Sequence, residues 1–508
     1  MSELLLKTEQ FEHQREIYLK HREDPYFALF WEMGLGKTKV MLDVAAHLFQ
    51  KNIIETLLII APNSVYKNWL SQEIPAHLAV EYIGMSYPKS NTEKSDLKKL
   101  LFLDQRFQPG KLRIMCISYN SVITEHGQEF CQNILTVYKT MVVADESTAI
   151  KTHSAKQTKA VKKIGKNSYI RWIATGTPAA QSPFDLHSQI EFLNEDFWGV
   201  YGVKTYSAFK TQFGEFNWRV ERGRRFQEVT GYRNLNTLKK IIEPISSRLL
   251  KEDSVVKLPP KTYSVWNFEL TTKQRRLYDQ LKREFQAELD NGMYLEAPLA
   301  IVRLARLQQI TSGFVTAEQY SDQMDLEFDE YLDLPQPLCP SKKKLVDIIP
   351  PSENPRLLLL LELLEQCSSH KAIVWCRYRR DVDIIVQTLG ERAVRYDGAV
   401  DQSLRETALK RFRDPNDPAR VFVANTQAIS QGVTLTIAKT MIYYSNSFSL
   451  EKRLQSEDRN HRIGQDSSVL VIDIAAEESV DLRIIESLKN KFEIAAQVTG
   501  DRFREWIK

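Results

Sequence analysis

Residues 27–48 read FALFWEMGLGKTKVMLDVAAHL: an apolar run, a turn punctuated by glycine, then an amphipathic stretch of helical period. Gly34 and Gly36 let the backbone curl so that successive amides point at one anion, and the positive end of the following helix adds to the pull. Lys37 is placed to reach the β- and γ-phosphates of ATP, and Thr38 to offer its hydroxyl to Mg²⁺. A strand before GKT and a helix after it separate a phosphate loop from a chance tripeptide. The first glycine of the strict GxxxxGK[ST] pattern is replaced by Trp31.

Further along, TMVVADESTAIK (140–151) puts Asp145 and Glu146 at the end of a second apolar run. Open α/β sheets bind ligands at the carboxyl ends of their strands, so the two acids are expected beside the phosphates. Asp145 is expected to hold Mg²⁺ through water, and Glu146 to orient and deprotonate the attacking water. Near the other end, QSEDRNHRIGQ (455–465) carries Arg459 and Arg462 three apart, on one face of a helical turn. Guanidinium groups brought from a second lobe would stabilise charge developing on the γ-phosphate.

Around these motifs the chain alternates apolar runs with longer amphipathic stretches, the pattern of a parallel sheet flanked by helices. Strands are expected at 26–31, 56–61, 113–118, 140–144 and 169–175, and again at 371–376, 393–396, 419–424, 440–444 and 469–474. The fold class is therefore α/β with two lobes. Expected boundaries are 1–265 for the first lobe, with an aromatic and basic insertion at 196–250; 266–345 for helices and an acidic linker; 346–478 for the second lobe; and 479–508 for helix closing on it.

The 508 residues are 43% hydrophobic and 26% charged, as in ordinary globular proteins, which excludes fibrous and disordered classes. The five cysteines form no CxxC pair, so a reducing cytoplasm and no structural zinc are expected. No stretch is apolar enough to span a membrane, and the net charge of +4 does not by itself announce nucleic acid.

Taken together, the separated motifs resemble those of superfamily 2 helicase-like ATPases of the Swi/Snf group, from Phe11 to Lys491. FEHQREIY resembles the adenine-reading motif, with Gln14 as its glutamine, and WEMGLGKT is similar to that group's nucleotide loop. IIAPNSVYKNWLSQEI and CISYNSV resemble motifs Ia and Ib, TGTPAAQSPFDLHSQIEFL motif III, and VWCRYRRDVDIIVQTL motif IV. ANTQAISQGVTLTIA resembles motif V, and QSEDRNHRIGQ is similar to motif VI. The resemblance implies two RecA-like P-loop lobes with ATP and Mg²⁺ between them and double-stranded DNA across the top. It implies nucleotide contacts from Gly432 and Gln455, and coupling through Thr175, Gly176 and Thr177. It also implies phosphate contacts from Asn63, Ser64, Ser118, Thr426 and Gln427, giving DNA affinity that ignores sequence. Ser147 and Thr148 stand where the group usually ends its DEAH motif.

Basic charge is concentrated in 204–248, where ten Lys and Arg face four Glu. Within it NWRVERGRRFQEV (217–229) reads as a β-hairpin turning at Arg222-Gly223. Its Arg222, Arg224 and Arg225 are expected to touch duplex or branched DNA. The sequence thus predicts a monomeric DNA-dependent ATPase that translocates on duplex DNA, in the cytoplasm of a bacterial or phage-infected cell. The alternatives are a branch-migrating helicase near the annealing-helicase branch and a silent DNA-binding scaffold.

Overall fold

A computed structural model describes residues 6–63, 65–88, 92–221, 224–253, 258–290, 297–319, 324–325, 343–368, 370–426, 433–462 and 464–499. Two parallel sheets organise the chain. The first is built from β1 (Tyr26–Trp31), β2 (Thr56–Ala61), β3 (Tyr82–Ser86), β4 (Leu112–Ser118), β5 (Thr140–Asp145), β6 (Ile170–Ala174) and β9 (Ser246–Leu249), in the order 3-4-2-5-6-1-9. Between β6 and β9 the hairpin pairs β7 (Gly214–Glu221) with β8 (Arg224–Tyr232), Glu221 opposite Arg224.

The second sheet uses β10 (Lys261–Phe268), β14 (Lys371–Cys376), β15 (Ala393–Tyr396), β16 (Val421–Asn425), β17 (Ala438–Tyr443) and β18 (Val469–Ala476), in the order 10-18-17-14-16-15. A small antiparallel sheet of β11 (Phe314–Gln319), β12 (Met324–Asp325) and β13 (Lys343–Asp347) follows the helices Thr272–Asp290 and Ala297–Ser312.

Mostly apolar runs form the interior strands of both parallel sheets because those strands are covered on both faces. In β1, Phe27, Leu29 and Trp31 enter one core layer while Ala28 and Phe30 enter the opposite one. In β5, Met141 and Val143 share the layer of Phe27, and Val142 and Ala144 the layer of Ala28. Every residue of β2, β4 and β5 is buried. Among the described residues no helix is long and apolar enough to cross a membrane.

Two expected boundaries need correction. Lys261 through Phe268 pair in parallel with Val469 through Ala476, so the division at 265/266 falls inside a strand of the second sheet. A half-exposed edge strand of mixed composition does not announce which lobe it joins. The helix Val480–Thr499, expected on the second lobe alone, spans both. Val480, Ile484 and Leu488 pack with Tyr278 and Leu307, whereas Val498 lies in the first lobe's core with Leu238 and Ile242. Part of the expected acidic linker is strand β11; residues 320–323 and 326–342 lie outside the described residues.

Candidate nucleotide site between the lobes

The loop after β1 and the end of β5 flank β6, so strand order alone brings the two halves of the first lobe's site together. Gly34 and Gly36 have φ of +86° and +76°, left-handed values that favour glycine. Space also demands Gly36: a Cβ there would stand 2.0 Å from Gln14 Nε2. Helix Lys37–Gln50 starts at once, leaving its first amides aimed into the cleft. Lys37 Nζ donates to the carbonyls of Trp31 (2.9 Å) and Glu32 (3.3 Å), folded back over its own loop. Burial pulls its pKa down, and Glu146 and Asp145 pull the other way.

Asp145 Oδ2 accepts from Trp69 Nε1 at 3.0 Å, and Oδ1 from the Glu146 amide at 3.0 Å. Burial pushes its carboxyl up, while the Trp69 bond and Lys37 oppose that rise. Glu146 has φ +51° and ψ +58°, a left-handed conformation that costs a non-glycine residue on the order of 1 kcal/mol or more. The strain turns its carboxylate toward Thr175, whose Oγ1 donates to Glu146 Oε2 at 3.3 Å. Burial, with Asp145 alongside, pushes the Glu146 carboxyl up, only partly offset by Lys37. A raised carboxyl beside a cleft is suited to taking a proton near neutral pH.

An open cleft is lined by Gly34, Lys37, Thr38, Asp145 and Glu146 on one side and by Asp458, Arg459 and Arg462 on the other. Arg459 is 4% exposed, and its Nε has no hydrogen-bond partner. A buried guanidinium with an unmet donor calls for an anion. The lobes are joined beside the cleft by Lys251, whose Nζ meets Asp458 Oδ1 at 2.5 Å and the His461 carbonyl at 2.6 Å.

Thr38 therefore shares the cleft with Asp145, and a hydroxyl with a carboxylate is an oxygen donor set suited to Mg²⁺. Thr175 lies between the phosphate loop and the acids; Gly176 packs against Met33 of that loop, and the Thr177 amide donates to Thr175 Oγ1 at 3.2 Å. Gln14 is 2% exposed, its Nε2 near the Leu35 and Gly36 carbonyls and its Oε1 accepting from the Phe11 amide at 2.9 Å. It braces the phosphate loop, and reading adenine would require those bonds to be given up.

Gln455 Nε2 donates to Glu451 Oε1 at 3.4 Å, and Gln455 is not among the residues that line the cleft. Ser118 is 1% exposed, its hydroxyl capping the helix Tyr119–Val122, so it offers no free donor to DNA. Asn63 is exposed, and Thr426 keeps a buried hydroxyl oxygen with no hydrogen-bond partner. Ser64, Gln427, Gly432 and Arg222 lie outside the described residues, as do the side chains of Arg224 and Arg225.

Sequence reasoning assigned no role to Trp69, Tyr119, Lys251 or Asp458. Tyr119 OH donates to the Asp145 carbonyl at 2.8 Å, completing the support of that acid. Trp69 lies inside the motif Ia stretch, the one signal that could have pointed to it.

Family models match both lobes of the chain. The model described as "SNF2-related domain" matches residues 24–313, and that of the "Helicase conserved C-terminal domain" residues 355–464. "Chromodomain-helicase-DNA-binding protein 6" of Homo sapiens is 23% identical over 482 residues, covering 92% of this chain and 16% of that protein. "ATP-dependent DNA helicase DDM1" of Arabidopsis thaliana is 24% identical over 485 residues, 92% of this chain and 58% of that one. A solved structure, "Sulfolobus solfataricus SWI2/SNF2 ATPase core in complex with dsDNA", aligns with 99% of this chain and 95% of that one at 19% identity. The TM-score of that alignment is 0.40. The chain spans 58% or less of the length of the two curated relatives it matches.

Proposed function

The chain belongs to the SNF2-related family of superfamily 2 helicase-like ATPases, and on that premise we propose that it is a DNA-dependent ATPase that translocates on double-stranded DNA. The observation carrying this reading is the shared cleft: Lys37, Thr38, Asp145 and Glu146 face Arg459 and Arg462 across one opening.

The chemistry follows from what each group now touches. Phosphate oxygens are stronger acceptors than the Trp31 and Glu32 carbonyls, so a bound triphosphate draws the Lys37 ammonium off its own loop. Thr38 and Asp145 would hold Mg²⁺, which supplies charge neutralisation on the β- and γ-phosphates. Glu146, deprotonated, accepts the proton of the attacking water, and Thr175 fixes the direction of its carboxylate. The Arg459 guanidinium has an unmet donor that the γ-phosphate can satisfy. Because Arg459 is carried by the second lobe, nucleotide draws the lobes together and its loss releases them. Repeated closure is how such an engine steps along a DNA backbone.

The test is ATPase rate without DNA and with single strand, duplex, fork and four-way junction, with Lys37→Ala as the control. A strand-displacement assay runs alongside. Duplex stimulation without strand separation is the expected result. Equal rates with and without every polymer would remove the DNA-dependent motor. Stimulation confined to junctions, with strand exchange, would move the output to branch migration.

A further inference from the structure

Seven residues beyond Glu146, in the same lobe, His153 meets two residues of the helix Asp185–Leu193: His187 and, one turn on, Glu191. Their ligand atoms all lie within 4.8 Å of one another. His187 Nδ1 is 3.5 Å and His153 Nδ1 3.7 Å from Glu191 Oε2. A tetrahedral ion with bonds of about 2.0–2.1 Å sets its ligand atoms about 3.4 Å apart. The two contacts to Glu191 Oε2 match that to within tenths of an ångström, and a turn of one ring would draw the two imidazole nitrogens, within 4.8 Å of each other, into place. His187 is 3% exposed, and both Nδ1 atoms are buried with no hydrogen-bond partner. Two buried imidazole nitrogens left unpaired around one carboxylate oxygen is an arrangement that costs free energy unless something sits between them.

Packing holds the rings in this attitude. His153 stacks on Tyr206 (4.8 Å, 9° between planes) and His187 on Trp198 (5.8 Å, 8°). The two imidazoles stand edge to face at 80°. Pre-set rings lower the ordering cost of ligation. A cation already serves Glu191: Lys162 Nζ lies 2.6 Å from the same Oε2, with its side chain 21% exposed. Such an ammonium can swing to water and yield its place to a doubly charged ion.

We propose that His153, His187 and Glu191 form a binding site for a zinc-class divalent ion, distinct from the Mg²⁺ of the nucleotide cleft. Two neutral imidazoles and one carboxylate are the donor set that such ions prefer over Mg²⁺, and three protein ligands leave one position for water. Its place in the fold gives the ion a task. Gln189, on the same helix, takes the Ser147 hydroxyl at 2.7 Å and donates to the Pro178 carbonyl at 2.7 Å. The ion would therefore fasten the loop after the catalytic acids to the helix after Thr175.

The full chain, free of nucleotide and in excess Mg²⁺, is titrated with Zn²⁺ against a chromophoric chelator and with Co²⁺ by visible absorption. Retained metal is counted by mass spectrometry after dialysis. One Zn²⁺ per chain is expected, with the intense d–d bands of low-coordinate Co²⁺. Affinity should fall on the order of tenfold or more in His153→Ala and Glu191→Gln. Lys162→Ala, with its folding checked by thermal midpoint, should tighten binding by removing the competing ammonium. No binding beyond what the Glu191→Gln chain retains, or a Lys162→Ala chain with unaltered affinity, overturns the site and leaves an adventitious ion only.

Discussion

Thr148 donates its hydroxyl to Glu451 Oε1 at 3.2 Å, joining the two lobes across 303 positions of sequence. Lys151 Nζ completes the contact from the same loop, 3.0 Å from Glu451 Oε2. Thr148 occupies the position where the Swi/Snf group usually carries histidine, two residues from Glu146. A change at the acids can thus be felt by the helix Leu450–Glu457, whose end leads into Arg459.

Removing that contact should affect coupling more than stability. The Lys151 and Glu451 side chains are 22% and 24% exposed, so their pairing is worth about 1 kcal/mol or less in a double-mutant cycle. Glu451→Ala is expected to lower DNA-stimulated ATPase about fivefold, ~1 kcal/mol, with thermal midpoint and basal rate little moved. Glu451→Gln keeps an acceptor for Thr148 and should retain more activity. Equal stimulation in all three proteins would mean that the contact transmits nothing.

Arg459→Ala is expected to reduce kcat for ATP by about 10³-fold, the scale of a removed arginine finger, with a smaller change in KM. Lysine should not restore it, because an ammonium on a shorter stem cannot reproduce the guanidinium fork. Steady-state kinetics on Arg459→Ala and Arg459→Lys decide this. A change confined to KM would instead assign Arg459 to ground-state binding.

Gly36→Ala combines a left-handed φ of +76° with a Cβ 2.0 Å from Gln14 Nε2. It should weaken nucleotide binding and lower stability by about 1–3 kcal/mol. Gln14→Ala frees the space, so the double variant is expected to be less damaged than the sum of the two singles. Additive losses, measured by denaturant unfolding, would show that the close approach is not what constrains Gly36.

Such couplings mark where sequence stops being readable. β1, β2 and β14 coincide with the expected runs because interior strands of a parallel sheet, covered on both faces, are mostly apolar. The edge strands β3 and β9, YIGMS and SSRL, carry polar residues and show no such run. The phosphate loop was legible because Gly34, Gly36, Lys37 and Thr38 act within five residues. Trp69 on Asp145 acts across 76 residues, and Glu451 on Thr148 across 303. Hydrogen bonds between distant side chains leave no periodicity, so only the folded chain displays them.

Glu457 should make the second lobe acid-labile. It accepts from Lys261 Nζ at 2.6 Å, Tyr263 OH at 2.8 Å and Arg453 Nε at 2.8 Å. Burial pushes its carboxyl up, but Lys261 and Arg453 together prevail and hold it at about 2. A carboxylate held below its unfolded value binds fewer protons when folded, so its contribution is complete above about pH 4.5 and is lost as pH falls toward 2. The shift corresponds to about 3 kcal/mol at neutral pH. Glu457→Gln leaves Lys261 and Arg453 partly unpaired and should cost about 3–5 kcal/mol at pH 7. Its deficit against the parent protein should shrink steadily between pH 4.5 and 2, as the parent's own carboxylate takes up its proton. Denaturant unfolding of both proteins at several pH values measures that difference; a deficit that stays constant with pH would show that Glu457 acts by shape and not by charge.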